Sequence, residues 1–270
     1  MLKTRVITGA LLGLTLLAAL FLLPARWAIG GFGIVFTIGA WEWAGFAGIH
    51  AKAPRIAYTL VVVLLLYLAS TLPARSPQAE WVLLAGCIWW GIAFLWLCLA
   101  PARQRPAVTL LCGITVLVPA FLALAKLLEV GAGFATGPQL VLWLLILVTG
   151  ADIGAFFAGR RFGKLKLAPR VSPAKTWEGA TGGVAMVLLL AWVGAVRFGL
   201  PVLATVAFGA AVGISSMVGD LTESMFKRAV GLKDSGNLLP GHGGMLDRID
   251  SVTAAAPLYA LGLFGSGWLA

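Results

Sequence analysis

Charge is scarce in this 270-residue sequence, since Asp, Glu, Lys and Arg together make up 11% and only 10 residues are acidic. Soluble domains carry about a quarter of charged residues, so this chain cannot cover a surface that faces water. Cysteine is also rare. Cys87, Cys98 and Cys112 lack the spacing of a metal site, and we interpret them as buried packing residues. These shortages exclude a soluble domain and a cysteine-based metal centre.

Apolar residues make up 60% of the chain and occur in long runs. A helix needs about 20 apolar residues to cross a bilayer, and an isolated strand there could not satisfy its backbone. The nine runs are 6–23, 27–49, 57–72, 81–100, 107–128, 138–158, 179–196, 201–219 and 252–269. They predict an all-α integral membrane protein, a polytopic bundle of about nine transmembrane helices. The first run could be a signal peptide, but it lacks a clear cleavage site, so we expect a retained helix.

Basic residues predict how the bundle is oriented. If the N-terminus is cytoplasmic, sixteen Lys and Arg side chains lie inside and four lie outside, which is a strong positive-inside bias. The four outside are Arg26, Arg75, Lys126 and Arg197. We therefore expect a bacterial-type inner membrane protein whose active site faces the cytoplasm. The net charge of +10 reflects topology and attraction to anionic lipid and substrate, with no nucleic-acid partner needed.

Two cytoplasmic segments, 159–178 and 220–251, are too long and too polar to be simple connections. The second holds five of the ten acidic residues, although acids contribute little to topology. We therefore predict an N-terminal part, 1–137, with helices 1–5, and a C-terminal catalytic membrane domain, 138–270, with helices 6–9 and both loops. No heptads, low-complexity tracts or convincing repeats appear.

The start of the second loop predicts a polar helix face. Asp220, Glu223, Ser224, Lys227 and Arg228 recur at helical spacing, and Gly231 is a natural helix end. Further along, Gly236, Pro240, Gly241, Gly243 and Gly244 surround His242, and such a glycine density lets a backbone approach a ligand closely. Asp247 and Asp250 then open the last helix. They could complement its dipole or hold a hard cation such as Mg²⁺.

These residues resemble the signature of the phosphatidate cytidylyltransferase (CDP-diacylglycerol synthase) family. The similar residues are 224–228 (SMFKR), 233–236 (KDSG) and 239–250 (LPGHGGMLDRID). Segments 152–164 (DIGAFFAGRRFGK) and 172–179 (SPAKTWEG) are similar to a second conserved block of the family. Two positions depart from the family pattern, with Phe156 where Tyr is frequent and Ala174 where Lys is frequent. The resemblance covers the C-terminal half; the N-terminal helices match only in number and hydrophobicity.

The resemblance implies a nine-helix, Mg²⁺-dependent enzyme that converts CTP and phosphatidic acid into CDP-diacylglycerol and pyrophosphate. Asp220 and Asp247 resemble its metal-binding carboxylates. Both reactants are anions, so a metal ion together with Lys and Arg side chains is needed to bring the lipid phosphate to the α-phosphorus of CTP. No covalent intermediate is required, and no nucleophile is paired with a base.

The remaining site residues are assigned roles on the same reasoning. Lys227, Arg228 and Lys233 are assigned to the nucleotide phosphates, and Ser172, Lys175 and Thr176 to either phosphate group. Asp234 and Asp250 orient cations or complete the metal shell, and Asp152 faces the site because an unpaired carboxylate in hydrocarbon is costly. His242 is favoured as a phosphate or ribose contact over a proton-transfer group, since the substrate phosphate is largely ionised near neutral pH. Ser224, Gly243, Gly244 and Arg248 complete the substrate-binding set. Glu42, inside the second run, is interpreted as structural.

Three alternatives remain open from the sequence. A CTP-dependent lipid kinase of the dolichol or phytol type would use similar cations and metal. A transporter would use Glu42, Asp152 and Asp220 as a pathway, but no inverted symmetry is found. A catalytically inactive homologue should have lost a metal carboxylate. A homodimer is compatible with the large apolar faces, although no residue pattern marks its interface.

Overall fold

A computed structural model describes residues 2–99, 105–131, 134–239, 241 and 243–269, with side chains from residue 7 onward. The described residues form nine α-helices and one short β-hairpin. The helices are α1 Leu2–Leu22, α2 Ala25–Phe46, α3 Lys52–Thr71, α4 Pro77–Leu99, α5 Pro106–Leu128, α6 Gly137–Phe162, α7 Trp177–Phe198, α8 Val202–Ala229 and α9 Leu246–Gly265. The strands are β1 Lys166–Ala168 and β2 Ser172–Thr176.

Seven of the described helices, α2 to α8, are long and apolar enough to cross a membrane. The apolar part of α1, Ile7–Leu22, is shorter, and α9 begins with the charged residues Asp247, Arg248 and Asp250. The prediction of a helical, polytopic membrane protein is confirmed. The count of nine spans, the cytoplasmic N-terminus and the loop orientation stay predictions.

Helices extend beyond the apolar runs on both sides of the predicted catalytic loops. Helix α6 continues to Phe162, α8 continues to Ala229, and α9 begins at Leu246. Hydropathy ends a run where charge begins, but Lys, Arg and Glu are good helix formers, so the helix itself continues. The polar start of the second loop is therefore helical, as predicted. Gly231, with φ of +74°, follows the end of α8.

The first loop contains a feature that the sequence did not predict, an antiparallel pairing of β1 with β2. Lys166 pairs with Thr176 and Ala168 with Ser172, with an irregularity between them. Thr176 ends the hairpin and caps α7, because its hydroxyl accepts a hydrogen bond from Gly179 N at 3.1 Å. The hairpin thereby carries Lys175 to the start of a membrane helix.

Small residues allow the helices of the C-terminal half to approach closely. A Cβ on Gly154 of α6 would lie 2.6 Å from Gly182 O of α7. A Cβ on Gly219 of α8 would likewise lie 2.6 Å from Asp250 O and 2.9 Å from the Cβ of Ala254 on α9. Close backbone approach of this kind is how membrane helices gain packing energy without a hydrophobic driving force. The second crossing places Asp220 and Asp250 beside each other.

Polar contacts at the other end of the bundle join the ends of α3, α5 and α9. Lys126 is 1% exposed and donates to Ser70 O at 2.8 Å and to the Glu129 carboxylate at 2.8 and 3.0 Å. Arg75 donates to Leu269 O at 3.0 Å. A buried ammonium is tolerated there because its partners satisfy it. These contacts lie on the side of the bundle away from the start of α9.

We expect Gly219→Ala to lower the thermal unfolding temperature in detergent. The added methyl group would overlap the backbone of α9, and overpacking of this kind costs about 1–3 kcal/mol. Gly91→Ala is the matched control, since a Cβ there meets no atom within 4 Å and alanine favours helix. Equal unfolding temperatures for the two variants would contradict close α8–α9 packing.

Candidate active site

A cavity of about 610 Å³ opens between α6, α7, α8 and the hairpin. Its polar lining comes from Asp152 and Arg160 on α6, Lys175 and Thr176 on β2, and Asp220 on α8. The Lys175 ammonium lies 2.5 Å from Asp220 Oδ2, and both side chains are about 30% exposed, at 28% and 29%. Asp152 is exposed to this space. The structure therefore brings together residues predicted from both loops.

Acidic and basic groups lie close together around this cavity, with Asp152 and Asp220 facing Lys175 and Arg160 in its lining. Asp152 lies close enough to Asp220 to repel it electrostatically, and Asp250 is close enough to repel both. The cations that act on Asp152 are Lys175 and Arg248. Three carboxylates that repel one another in a partly enclosed space attract a cation. The cavity is therefore electrostatically suited to a divalent metal ion.

A second ionic cluster, more buried than the one in the cavity, lies between α8 and α9. Lys227 is 7% exposed, and its ammonium lies 2.6 Å from Asp247 Oδ1 and 3.0 Å from Glu223 Oε1. The contact with Glu223 is an ion pair without hydrogen-bond geometry, and Glu223 is 3% exposed. Lys227 is thus held between two carboxylates instead of pointing into open solvent. Breaking a buried pair of this kind leaves an uncompensated charge, which costs several kcal/mol.

Asp247 also organises the glycine-rich loop that precedes α9. Its Oδ2 accepts hydrogen bonds from Ser235 N at 2.8 Å and Gly244 N at 2.9 Å, and it lies 3.0 Å from Ser235 Oγ, whose single proton it shares with Glu42. With Lys227 on Oδ1, both oxygens of Asp247 are engaged. This carboxylate, predicted as a metal ligand, therefore also holds the loop in place.

Glu42 of α2 reaches the same loop from the other side. It is 4% exposed, and its oxygens accept from Met245 N at 3.0 Å, Leu246 N at 2.8 Å and Ser235 Oγ at 2.8 Å. A helix start has unpaired N–H groups and a partial positive charge, and a carboxylate satisfies both. Glu42 thus caps α9 from a distant part of the chain.

The loop between these carboxylates has no room for side chains at two glycines. A Cβ on Gly236 would lie 2.5 Å from Glu42 Oε1, and a Cβ on Gly244 would overlap Ser235 Oγ. Gly243 has φ of +78° and its carbonyl accepts from Leu239 N at 3.0 Å. These glycines therefore allow the loop to pack closely against Glu42 and Ser235, and their predicted approach to a ligand stays a prediction.

The other predicted site residues differ in how exposed their side chains are. Arg228, Lys233 and Asp234 are exposed, Ser172 and Ser224 are partly buried, and Arg248 is exposed in the first turn of α9. Asp234 lies near Gly243, where a Cβ would be 3.3 Å from the Cβ of Asp234. His242 lies outside the described residues, so its role stays a prediction. Within the described ranges, no three His, Cys, Asp or Glu side chains form a metal-binding group.

Sequence reasoning did not include Glu42, Glu223 or Ser235 among the site residues. Glu42 was interpreted as structural, and its capping of α9 agrees with that interpretation. An ionisable residue within a membrane helix is expensive and needs a partner, which was the available signal for Glu42. Nothing in the sequence identified that partner, because it lies about 200 positions away along the chain.

The comparisons with known proteins give matches along the whole chain. A profile of the cytidylyltransferase family matches residues 3–264. A protein of Pseudomonas aeruginosa named phosphatidate cytidylyltransferase is 44% identical, over 99% of this chain and 99% of its own. A protein of the same name from Haemophilus influenzae is 37% identical, over 96% of this chain and 98% of its own. Another from Brucella suis is 49% identical over 50% of this chain and 48% of its own.

We expect Glu42→Gln to lower the thermal unfolding temperature in detergent and to speed proteolysis of segment 232–239. The amide NH2 replaces one of the two oxygens, so the N–H group of Met245 or of Leu246 loses its acceptor, and a hydrogen bond to a charged group contributes about 1.5–3 kcal/mol. Glu80→Gln, at an exposed residue in the first turn of α4, is the matched control. If both variants unfold alike, Glu42 does not hold the start of α9.

Proposed function

Because the chain belongs to the cytidylyltransferase family, we infer that it is a phosphatidate cytidylyltransferase, which converts CTP and phosphatidic acid into CDP-diacylglycerol and pyrophosphate. The observation that carries this conclusion is the 44% identity to a protein of that name over 99% of both chains. The resemblance noted in the sequence and the prediction of a nucleotidyltransferase are thereby confirmed. The mechanism that follows is our proposal, derived from the residues around the cavity.

In the proposed reaction, an oxygen of the lipid phosphate attacks the α-phosphorus of CTP. A new P–O bond forms as the bond to the β-phosphate oxygen breaks, and pyrophosphate leaves with that electron pair. Nucleophile and leaving group are both multiply charged, so repulsion between them is the main barrier. Positioned cations lower this barrier most where water is excluded. The partly enclosed cavity supplies a positioned cation, Lys175, held at Asp220.

We assign Lys175 and Arg248 to the substrate phosphates nearest the cavity. Lys175 is held at Asp220, and Arg248 acts electrostatically on Asp152. Arg228 and Lys233 are exposed at the end of α8 and just beyond it, where they can meet the triphosphate from the cytoplasm. Lys227 is buried between Glu223 and Asp247, so we assign it to fixing Asp247 and lowering the negative charge of the site.

A magnesium ion fits the acidic side of this cavity. The mutual repulsion of Asp152, Asp220 and Asp250 is the observation that favours it, since a cation between them would relieve that repulsion. Mg²⁺ prefers one or two carboxylates together with phosphate oxygens. We propose Asp220 and Asp247 as its protein ligands, with Asp250 and Asp234 nearby. Asp247 Oδ1 is held by Lys227 in this structure, so its binding to the ion would require Lys227 to move away. When bound, the ion would neutralise charge on the transferred phosphate.

We propose that all nine helices cross a bacterial-type inner membrane and that the cavity faces the cytoplasm. The hairpin, the start of α9 and the ends of α6 and α8 lie in segments 159–178 and 220–251, which carry ten of the 20 basic residues, as the positive-inside rule leads one to expect. CTP would then enter from the cytoplasm and phosphatidic acid from the bilayer. A homodimer remains compatible with the exposed apolar helix faces, although no interface is assigned.

We expect purified protein with Mg²⁺, phosphatidic acid and CTP labelled in its cytosine ring to transfer the label to lipid. Asp220→Asn and Asp247→Asn should each reduce the rate at least about a hundredfold, because a metal contributes several kcal/mol of transition-state stabilisation. A chelator should abolish the reaction.

Glu80→Gln provides the control for that assay, since Glu80 is exposed on α4 away from the cavity. Label that stays in the aqueous phase with folded protein would overturn the proposed activity. In that case, label passing to lipid only from the γ-phosphate of CTP would identify a lipid kinase.

Cysteine labelling in spheroplasts tests the orientation. In a variant with Cys87, Cys98 and Cys112 changed to Ala, we expect Gln78→Cys, at the start of α4, to react with a membrane-impermeant maleimide. Arg170→Cys, in the exposed turn of the hairpin, should react only after permeabilisation. The unsubstituted cysteine-free protein is the control, and the reverse pattern would refute a cytoplasmic active site.

A further inference from the structure

A second large space, an apolar groove of about 510 Å³, lies between α1 and the rest of the bundle. Helix α1 forms one wall, and α2, α5, α6 and α9 form the other. Its lining is apolar except for Thr15, Thr149 and one charged side chain, Arg248. Its volume is within the about 300–1,000 Å³ of sites that hold small ligands. A groove of this composition at membrane depth is suited to a hydrocarbon chain.

The groove extends along most of the depth of the bundle. On α1 its lining runs from Gly9 to Ala19, which at 1.5 Å per residue spans about 15 Å. On α5 the lining reaches Leu124, 18 residues beyond the start of that helix and so about 27 Å along it. On α9 the lining begins at Met245 and Arg248, in the region where the acidic cavity also lies. The groove therefore runs from the start of α9 past the middle of the bundle towards its other end, a length that can hold a long acyl chain.

Arg248 connects this groove with the acidic cavity. It lines the groove, and it acts electrostatically on Asp152, which lines the cavity. Among the described residues, no carboxylate lies within ion-pair distance of its guanidinium. A guanidinium at the polar end of an apolar groove is complementary to a phosphate that carries an acyl chain.

We propose that the groove holds an acyl chain of the phosphatidate substrate, with Arg248 at the lipid phosphate. The identity of the lipid rests on the proposed function; the site itself rests on the groove and on Arg248. In this position the phosphate lies beside the carboxylates and Lys175 of the cavity, while the chain extends along α1 and α2. The lipid reaches the reaction centre without leaving the bilayer.

Two glycines in the groove lining are positions where a larger side chain would block the groove without overlapping other atoms. Gly13 on α1 and Gly31 on α2 both line it, and a Cβ at either meets no atom within 4 Å. Gly30 is equally open but does not line the groove. Gly31→Phe and Gly30→Phe therefore add the same side chain to neighbouring positions, and only the first blocks the groove. Gly13→Phe blocks it from the opposite wall if Gly31→Phe does not fold.

The first test is photolabelling without CTP, using a phosphatidate that carries a diazirine near the end of an acyl chain. We expect label on peptides from 9–19 of α1 and 28–36 of α2, with a loss of about tenfold in Gly31→Phe and none in Gly30→Phe. Arg248→Gln should reduce labelling by this probe and leave labelling by the corresponding diacylglycerol unchanged. Label confined to α6, α7 and α8, or equal loss in both glycine variants, would overturn the proposal.

Kinetics with two substrates provide an independent readout. In Gly31→Phe, the KM for dioleoyl phosphatidate should rise about tenfold, equivalent to about 1.4 kcal/mol, while kcat and the KM for CTP do not change. The KM for dihexanoyl phosphatidate should not change, because its short chains do not reach the blocked level. A wild-type protein that takes up label at the groove but transfers no cytidylyl group would refute the proposed function and leave the groove assignment intact.

Discussion

The start of α9 is held by two carboxylates, Glu42 and Asp247, that meet at Ser235. Glu42 accepts from the backbone N–H groups of Met245 and Leu246, and Asp247 accepts from those of Ser235 and Gly244. Each of these N–H groups would be costly to bury without a partner. Because Asp247, Arg248 and Asp250 follow within the next turn, their positions depend on this cap. Glu42 of α2, distant along the chain, thus helps to set where the site residues of α9 lie.

The charged residues of the C-terminal half separate into two clusters with different properties. The buried cluster of Glu223, Lys227 and Asp247 contains its own counter-charge and joins α8 to α9. The cluster around the cavity is open, and its acids Asp152, Asp220 and Asp250 lie near the cations Lys175, Arg160 and Arg248. The first arrangement is suited to holding two helices together, and the second to attracting a metal ion and anionic substrates.

Much of the fold could be predicted because a bilayer restricts the chain so strongly. An apolar run of sufficient length has to be a helix there, so hydropathy predicted where helices occur. It did not predict where they end: α6 and α8 continue into charged sequence, and the β1–β2 hairpin appeared where a loop was expected. Helix ends and short hairpins depend on caps and contacts such as that of Thr176 with Gly179, which carry no hydropathy signal.

The sequence by itself determined the helical membrane class, the family and the set of candidate site residues, because hydrophobic length and an ungapped polar motif are local properties of the chain. Only the tertiary structure decided which of those residues meet. The close α8–α9 crossing at Gly219 brings Asp220 to Asp250, and the hairpin brings Lys175 to Asp220. It also decided that Glu42 caps α9 and that Arg248 lies between a groove and a cavity. These contacts join residues far apart in the chain, and they form only when the helices pack against one another.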